Sequence, residues 1–187
     1  ADVTVDALTT QDFFSLQGSY DNQQEYVPKE ASIYPQTLNV PATEFRDVKL
    51  NLALQNNQLV PGLYYVNIAS SQLDSKSKLV NLVVSSHVNI TFKLGTTEAL
   101  LWAVDLPTQT PIAGAPVSIY DGAGNQLVSG TTDASGLWKT DIPATDRPLY
   151  AMLSQPGEDN FGLAVSNWDI GVQAYDFGYS QDVRAPH

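Results

Sequence analysis

The feature that most constrains the fold is a series of short strand patterns separated by glycine and proline turns in the second half of the chain. Residues 97–121 combine a hydrophobic strand, a polar bend with proline, and a second strand of alternating residues. A glycine turn follows at 122–125, and an Asp-Ala-Ser-Gly turn follows at 133–136. Short strands at roughly ten-residue spacing, joined by turn residues, predict a β-sandwich. This stretch carries no obvious chemistry, which favours a structural or recognition module.

Strand patterns also dominate the remaining chain, and helix signals are nearly absent. Apolar and polar residues alternate along 48–54 and 88–94, which places aliphatic side chains on one face of each strand. No Leu, Ile or Val stripe at helical spacing has a cap and a glycine stop. Further strands are predicted at 63–69, 79–85, 98–106, 116–120, 126–131, 137–142, 149–154 and 162–167.

The alternation also predicts which side chains form the core of the second half. In a two-layer fold, Trp102, Val104 and Leu106 lie on the same face of their strand, and we expect that face to be buried. Their expected partners across the core are Val117, Ile119, Leu149, Ala151 and Leu153.

The length fits two modules in tandem. A chain of 187 residues can form two units of roughly 90, close to the ~100 residues of an immunoglobulin-like sandwich. The boundary is predicted near Ser85-Ser86, giving a first sandwich at 1–85 and a second at 86–187. No long linker separates them, so we expect a restricted angle between the modules. Residues 1–47 mix aromatics with prolines and are interpreted as short strands and loops of the first sandwich.

Composition excludes several classes of partner. The net charge of −11 is spread along the chain, whereas nucleic acids and anionic membranes select clustered Lys and Arg. Without cysteine there is no disulfide, thiolate metal site or thiol nucleophile. No segment approaches the ~20 apolar residues that span a bilayer, so direct membrane insertion is not expected. No signal peptide is recognisable, and the abrupt start and ragged end suggest a fragment of a larger protein.

Specific sequence motifs in the second half indicate which type of sandwich domain the chain resembles. The stretches concerned are Leu100-Leu-Trp-Ala-Val-Asp-Leu106, Pro111-Ile-Ala-Gly-Ala-Pro-Val117, Ile119-Tyr-Asp121, Ser129-Gly-Thr-Thr-Asp-Ala-Ser-Gly-Leu137 and Gly162-Leu-Ala-Val165. On these residues, 88–178 resembles a macroglobulin-type domain of the bacterial alpha-2-macroglobulin family. Val60-Pro-Gly-Leu-Tyr-Tyr-Val66 resembles the closing strands of a neighbouring macroglobulin domain, so the resemblance covers about 60–178. Adhesin and transthyretin-like repeats share part of this sequence pattern. The stretch 155–168 makes the resemblance more specific to macroglobulin-like chains.

The resemblance implies two tandem immunoglobulin-like sandwiches that serve as non-catalytic framework in a large extracytoplasmic protease inhibitor. Full-length members present a bait segment to proteases and enclose the attacker after cleavage, and many carry a Cys-x-x-Gln thioester. This chain has no cysteine and so no thioester, and no long flexible segment that would serve as bait. The implied partners are neighbouring domains of the same parent chain and, through the intact parent, proteases.

Several residues in the resembling stretch have roles that follow from their own chemistry. Gly114 permits a bend that a side chain would obstruct, and Pro116 fixes the backbone at the start of the next strand. Asp133 can accept backbone N–H groups within its own turn, while Gly136 takes a positive φ. These roles set the shape of the chain.

Candidate catalytic and metal-binding residues are few. The histidines are His87, at the start of a strand, and His187 at the terminus, and no Gly-x-Ser-x-Gly elbow accompanies them. Asp121, Asn125 and Asp133 could supply oxygens to Ca²⁺, but their spacing does not follow an EF-hand loop, and turn formation explains them.

A pair of acids gives no better case for catalysis. Glu158 and Asp159 sit beside Gly157, and we interpret them as an exposed hairpin tip instead of a glycosidase pair. We therefore predict no catalytic, cofactor or metal site, and no enzyme activity.

The aromatic tail is the remaining candidate for an interface. Trp168, Tyr175 and Phe177 stand among Asp and Gly residues. We interpret them as packing against the second sandwich or the next domain of the parent. The alternative is a surface adhesin or a carbohydrate- or protein-binding module that uses this tail to hold its ligand.

Overall fold

Antiparallel strands make up most of the regular secondary structure in the described part of the chain, which confirms the predicted all-β class. The structure is a computed structural model that describes residues 1–29, 32, 36–37, 52, 59–70 and 78–167. The described strands form three sheets, with two short helices near the N-terminus.

Sheet 1 is built from the first part of the chain. It has the strand order β2-β1-β3-β4 and every pairing in it is antiparallel. Two helices follow the first strand and lie against this sheet. The elements are β1 (Asp2–Leu8), α1 (Thr10–Leu16), α2 (Tyr20–Glu25), β2 (Gln36–Thr37), β3 (Gly62–Ala69) and β4 (Leu79–Ser85).

Sheets 2 and 3 face each other and form a sandwich from the second part of the chain. The elements are β5 (Val88–Leu94), β6 (Glu98–Asp105), β7 (Thr110–Pro111), β8 (Pro116–Tyr120), β9 (Gln126–Thr131), β10 (Leu137–Asp141), β11 (Tyr150–Leu153) and β12 (Gly162–Val165). Sheet 2 has the order β10-β6-β5, with β7 paired to β6, and sheet 3 has the order β12-β11-β8-β9.

Most strand predictions are confirmed. Four predicted strands match residue for residue: 79–85 is β4, 88–94 is β5, 116–120 is β8 and 126–131 is β9. The others in the described ranges agree to within two residues at each end. The strand predicted at 48–54 lies, apart from Leu52, outside the described residues.

The interpretation of the N-terminal region as strands and loops is wrong where α1 and α2 form. Helix α1 has no aliphatic stripe, because Phe13 and Phe14 provide much of its buried face. Its start is fixed by Thr9, whose side chain accepts a hydrogen bond from the Asp12 N–H.

The predicted core face of β6 is also wrong. Leu101 and Ala103 are buried, whereas Trp102 and Leu106 are 42% and 56% exposed. Side chains alternate along a strand, so an offset of one residue exchanges the whole buried set for the exposed set. The core space beside β6 is taken by Trp138 of β10, and the Trp102 indole instead donates to the Ser135 carbonyl at 3.1 Å.

The other half of that core prediction is confirmed. The five residues expected to face β6 across the core are all buried, and Ile119, Ala151 and Leu153 are fully inaccessible to solvent. The confirmed core residues are Val117, Ile119, Leu149, Ala151 and Leu153.

Sheet 3 is covered on both faces. Every residue of β11 and β12 is buried, although alternate residues point to opposite sides. One face of sheet 3 packs on sheet 2, and the other packs on α1 and sheet 1. The far side of sheet 1 carries a smaller core around Val3, Val5, Tyr64 and Val66.

Candidate module interface

The two parts of the chain meet in one hydrophobic cluster, which we call the junction cluster. It brings side chains of β1, α1 and β3 against the outer face of sheet 3. Its buried members are Leu8, Phe13, Phe14, Leu16, Leu63, Tyr65, Tyr120, Tyr150, Met152, Phe161, Leu163 and Val165.

Helix α1 reaches this position because its first turn is capped. The Thr9 Oγ1 accepts from the Asp12 N–H at 3.1 Å, and its own hydroxyl donates to Asp12 Oδ2 at 2.7 Å. The first bond satisfies one of the backbone N–H groups that a helix start otherwise leaves unpaired, and the second holds the Thr9 hydroxyl in place. The helix ends as the Gln17 N–H donates to the Phe13 carbonyl, and Gly18 follows with a φ of 76°.

Four aromatic rings form the centre of the junction cluster. The Phe14 ring lies 5.2 Å from the Tyr150 ring, edge to face, and 5.3 Å from the Tyr120 ring. Phe13 packs edge to face on Phe14 at 5.5 Å and on Tyr150 at 6.5 Å. Such tilted pairs stabilise by roughly 0.5–1.5 kcal/mol each beyond the burial of their area.

Gly124 in the β8–β9 turn makes room for Phe14. A Cβ atom built on Gly124 would lie 2.9 Å from both Cβ and Cγ of Phe14, closer than real Cβ contacts come. The residue also has a φ of 83°, which side chains disfavour. The sequence marks Gly124 as a turn glycine, but its contact with residue 14 is not visible there because 110 positions separate the two.

Hydrogen bonds cross the same junction. The Tyr150 hydroxyl donates to Gln17 Oε1 at 2.7 Å, so the ring is held at its polar end as well. At the start of the second part, the Ser86 hydroxyl donates to the Phe161 carbonyl at 2.6 Å and so fixes the connection between β4 and β5 beside the junction. The Gly157 N–H, in the β11–β12 loop, donates to the Pro61 carbonyl at 2.9 Å.

Ionisable side chains lie along the edge of the junction. The Lys29 ammonium lies 2.8 Å from Asp12 Oδ1. Burial opposes ionisation of Asp12, but the hydrogen bonds from Lys29 and Thr9 outweigh it and lower the pKa of Asp12. Burial raises the pKa of Tyr65 to about 12, assisted by the charge of Asp6, and its hydroxyl donates to the Gln23 carbonyl.

The shape-setting roles predicted for the turn residues are confirmed. Gly114 and Gly136 have φ values of 71° and 73°, and Pro116 is the first residue of β8. Asp133 Oδ1 accepts the Ser135 N–H at 2.8 Å and that of Leu137 at 3.0 Å. No signal beyond local turn chemistry was needed for these residues.

The acids considered as calcium ligands serve their own turns. Asp121 Oδ1 accepts the N–H groups of Ala123 and Asn125, and Oδ2 accepts the Asn125 side-chain amide, all at 2.9 Å. The hydrogen bond from the Asn125 side chain is the main cause of a lowered pKa for Asp121. Within the described ranges, no group of three or more His, Cys, Asp or Glu side chains is placed to hold a metal ion.

The other polar residues considered for catalysis do not come together at one site. His87 Nε2 lies 3.5 Å from Asp105 Oδ1, between β4 and β5. Glu158 and Asp159 are exposed in the β11–β12 loop, as predicted for a hairpin tip. The predicted interface residues Trp168, Tyr175 and Phe177, together with His187, lie outside the described residues, so their roles stay predictions.

Helices in the described part of the chain are short. None of them has the length and apolar character needed to cross a membrane.

Comparison with known proteins identifies relatives of this architecture. Residues 85–182, just over half of the chain, match the family described as bacterial alpha-2-macroglobulin MG3 domain. The chain is similar to the crystal structure of native alpha-2-macroglobulin from Escherichia coli spanning domains MG0-NIE-MG1, with a TM-score of 0.58 and 19% identity over 87% of this chain. It spans 53% of that structure, or about half its length. A structure from the same organism spanning NIE-MG1 gives a TM-score of 0.58 and 15% identity, covering 87% of this chain and 81% of that one. A search of the curated proteins found no match.

Proposed function

Because this chain belongs to the bacterial alpha-2-macroglobulin family, with its MG3 domain at residues 85–182, we propose that it is structural, non-catalytic framework of a larger protease inhibitor. Its modules set the spacing and angle of neighbouring parts of the protease trap. The observation that carries this proposal is the junction cluster, which joins the modules through a continuous hydrophobic core.

The character of the junction supports a framework role. Interfaces between domains of one chain are commonly more polar than a core and permit relative motion. Here the contact is built from buried aromatic and aliphatic side chains, with Phe161 fully inaccessible and Leu16 and Tyr65 each 1% exposed. A large hydrophobic contact restricts relative motion, and a framework that must keep a trap open requires that restriction.

The use of the polar side chains supports the non-catalytic part of the proposal. Asp121 and Asp133 accept backbone N–H groups in their own turns, and the Asp12 carboxylate accepts the Thr9 hydroxyl and pairs with Lys29. Catalytic acids and bases need free atoms directed at a common point. These carboxylates are instead engaged in holding local structure.

The partners and location follow from the family. We assign neighbouring domains of the same parent as the direct partners, and proteases as partners of the intact parent only. The first solved relative extends well beyond the length of this chain, which supports a multi-domain parent. We place that parent outside the cytoplasm, as a secreted, periplasmic or surface-anchored protein.

The proposal is tested on the intact parent protein. It is mixed with a protease, and residual activity is measured on a small peptide substrate and on a large protein substrate. We expect activity on the large substrate alone to be lost, because a trapped protease remains accessible only to small molecules. Equal activity on both substrates would contradict the inhibitor proposal and favour the adhesin alternative.

A second part of the experiment asks whether trapping by the parent protein depends on the junction cluster. Gly124→Ala places a Cβ against Phe14, whereas Gly114→Ala has nothing within 4 Å of the new atom. Both glycines have positive φ, so the two variants share the same backbone strain. We expect trapping by the parent to fall with Gly124→Ala and to persist with Gly114→Ala, at a temperature where both remain folded.

A further inference from the structure

A cavity of about 360 Å³ lies where the first module meets the β11–β12 loop. This volume falls at the lower end of the roughly 300–1,000 Å³ typical of small-molecule sites. It is bounded by the end of β1, the start of α1, the segment after α2 and the loop of the second module. Its walls include Asp6, Leu8, Tyr26, Pro28, Gln155 and Pro156.

Asp6 is the unusual group in this cavity. The residue is 4% exposed, and its Oδ2 atom is buried with no hydrogen-bond partner among the residues that the structure describes. Burial raises the pKa of Asp6, while hydrogen bonding from the side chains of Thr4 and Ser32 opposes the rise. A buried carboxylate oxygen without a donor is unfavourable, so it commonly indicates a missing cation or donor.

The other charged groups around the cavity already have partners. Lys29 Nζ lies 2.8 Å from Asp12 Oδ1, and Asp12 Oδ2 accepts the Thr9 hydroxyl. The remaining ionisable neighbours, Tyr26 and Tyr65, carry no positive charge in either protonation state. Among the described residues that line the cavity, Asp6 therefore carries the carboxylate that has no cation beside it, although Thr4 and Ser32 donate hydrogen bonds to it. The net charge of the chain is −11.

The surroundings of Asp6 select one class of cation. Ca²⁺ takes roughly six to eight oxygen ligands, and the described residues hold no cluster of three acidic side chains. A guanidinium group donates in a planar fork that matches a carboxylate, and its weak hydration makes it the cation best suited to a buried site. The Tyr26 ring and the apolar walls of Leu8, Pro28 and Pro156 suit the face of such a cation and its alkyl stem.

We propose that this cavity binds a guanidinium group on an apolar stem, with the Asp6 carboxylate as its counter-ion. The group belongs either to a free small cation or to an arginine side chain presented by another polypeptide segment. The site is independent of the framework role, because it requires only the described cavity and its carboxylate.

The test is a titration of the full chain with N-acetyl-arginine amide, followed by calorimetry and by NMR of the Asp6 carboxyl carbon. N-acetyl-citrulline amide, which has the same shape without the charge, serves as the matched ligand control. We expect the arginine probe to bind and to lower the pKa of Asp6, and the citrulline probe to do neither. Asp6→Asn keeps the shape of the side chain and should weaken binding by roughly tenfold or more, the factor of one charge-assisted hydrogen bond.

Asp146→Asn is the matched protein control, because it removes the same charge from an exposed residue. It should bind the probe as the unmodified chain does, and a melting curve checks that both variants are folded. Equal binding of citrulline, equal binding by Asp6→Asn, or an Asp6 pKa that does not move at saturating probe would each overturn the proposal.

N-propylguanidine distinguishes the two sources of the ligand. It carries the same guanidinium group and the same single charge as N-acetyl-arginine amide, without a peptide backbone. Tighter binding of N-propylguanidine than of N-acetyl-arginine amide supports a free small cation as the ligand. Tighter binding of the amide supports an arginine side chain from another segment, and both results support guanidinium recognition by Asp6.

Discussion

The two hydrophobic clusters on either side of sheet 3 are built from different side chains. Between sheets 2 and 3, the buried residues are aliphatic except for Phe92, and Ala99, Ala103 and Ala151 keep the layers close. In the junction cluster, half of the buried residues in the described ranges are aromatic. Tyr65 and Tyr150 there also use their hydroxyls for hydrogen bonds to Gln23 and Gln17.

This difference separates packing between the two sheets of the sandwich from packing between sheet 3 and the N-terminal part of the chain. Two facing sheets can be filled by alternating aliphatics, since the pleat already sets which residues meet. The junction instead brings a helix, a sheet and two loops together at irregular angles. Large aromatic rings bridge those gaps, and their polar ends need partners that fix their orientation. The cluster between sheets 2 and 3, which we call the inner core, therefore defines the sandwich. The junction cluster defines how the N-terminal part of the chain is attached to it.

Removing the first module tests this comparison with the largest expected effect. A fragment of residues 86–187 retains the inner core but exposes the outer face of sheet 3. We expect it to unfold cooperatively in urea, with a free energy of unfolding lower than the intact chain by more than the ~3–5 kcal/mol that truncating one buried Phe costs. A fragment as stable as the full chain would show that the junction is only a surface contact. Non-cooperative melting would count against the proposed boundary at Ser85-Ser86.

Adjacent leucines in β6 test the inner core next. Leu101 is fully buried, whereas its neighbour Leu100 is 40% exposed. Leu101→Ala should lower the free energy of unfolding by about 2–5 kcal/mol, because it leaves a cavity in the core. Leu100→Ala, the matched control, should change it by less than about 0.5 kcal/mol in the same urea titration. Similar losses for both would contradict the observed face of β6.

Two glycines sharpen the comparison at the junction. Gly124→Ala and Gly114→Ala should each cost about 1–2 kcal/mol from left-handed backbone strain. Gly124→Ala should cost a further ~1–3 kcal/mol, because its Cβ overlaps Phe14. In a Phe14→Gly background, which removes the Cβ as well as the ring, the extra loss should disappear, and a double-mutant cycle by thermal or urea unfolding measures it. A difference that persists without the Phe14 side chain would assign it to some other cause.

The smallest effects come from two acids of the first module, whose pH dependences should run in opposite directions. The pKa of Asp6 is raised from its ordinary value of 3.8, so its stabilising effect is complete below pH 3.8 and is lost as pH rises through the folded-state value. The pKa of Asp12 is lowered, so its effect is present above pH 3.8 and is lost as pH falls through the folded-state value. Relative to Asp6→Asn, the unmodified chain should gain stability on acidification towards pH 4.

Relative to Asp12→Asn, the unmodified chain should keep its advantage until the pH falls below 3.8. Free energies of unfolding measured in urea across this range check both variants together. Parallel pH profiles for Asp6→Asn and Asp12→Asn would contradict the assignment of opposite pKa shifts.

Much of the sandwich could be predicted because its determinants are local. The alternation in β5 and the turn residues around Asp133 and Gly136 fix strands and bends within a few residues of themselves. The buried face of β6 could not be fixed this way. Both of its faces are apolar, with Leu101 on one and Leu100 and Trp102 on the other, and Trp138 on another strand decides which one faces inward.

The sequence predicts a tight junction, but the residues that form it could not be identified, for a similar reason. The Thr9–Asp12 cap is a local signal for the start of α1, and a Thr-x-x-Asp pattern before two phenylalanines was available to find it. What the helix packs against depends on Tyr120, Gly124 and Tyr150, which are more than 100 positions away. The apolar sequences of β11 and β12 also indicate that sheet 3 is packed on both sides, since a strand without polar positions is usually covered on both faces.

The cover on both faces of sheet 3 also determines how the chain transmits force. A sheet wedged between two layers cannot bow towards either one without opening a void on the opposite side, and close-packed interiors resist such voids. We therefore expect a displacement of sheet 1 to move β8, β11 and β12 together and to be passed on to sheet 2. The three layers would then move as one rigid unit.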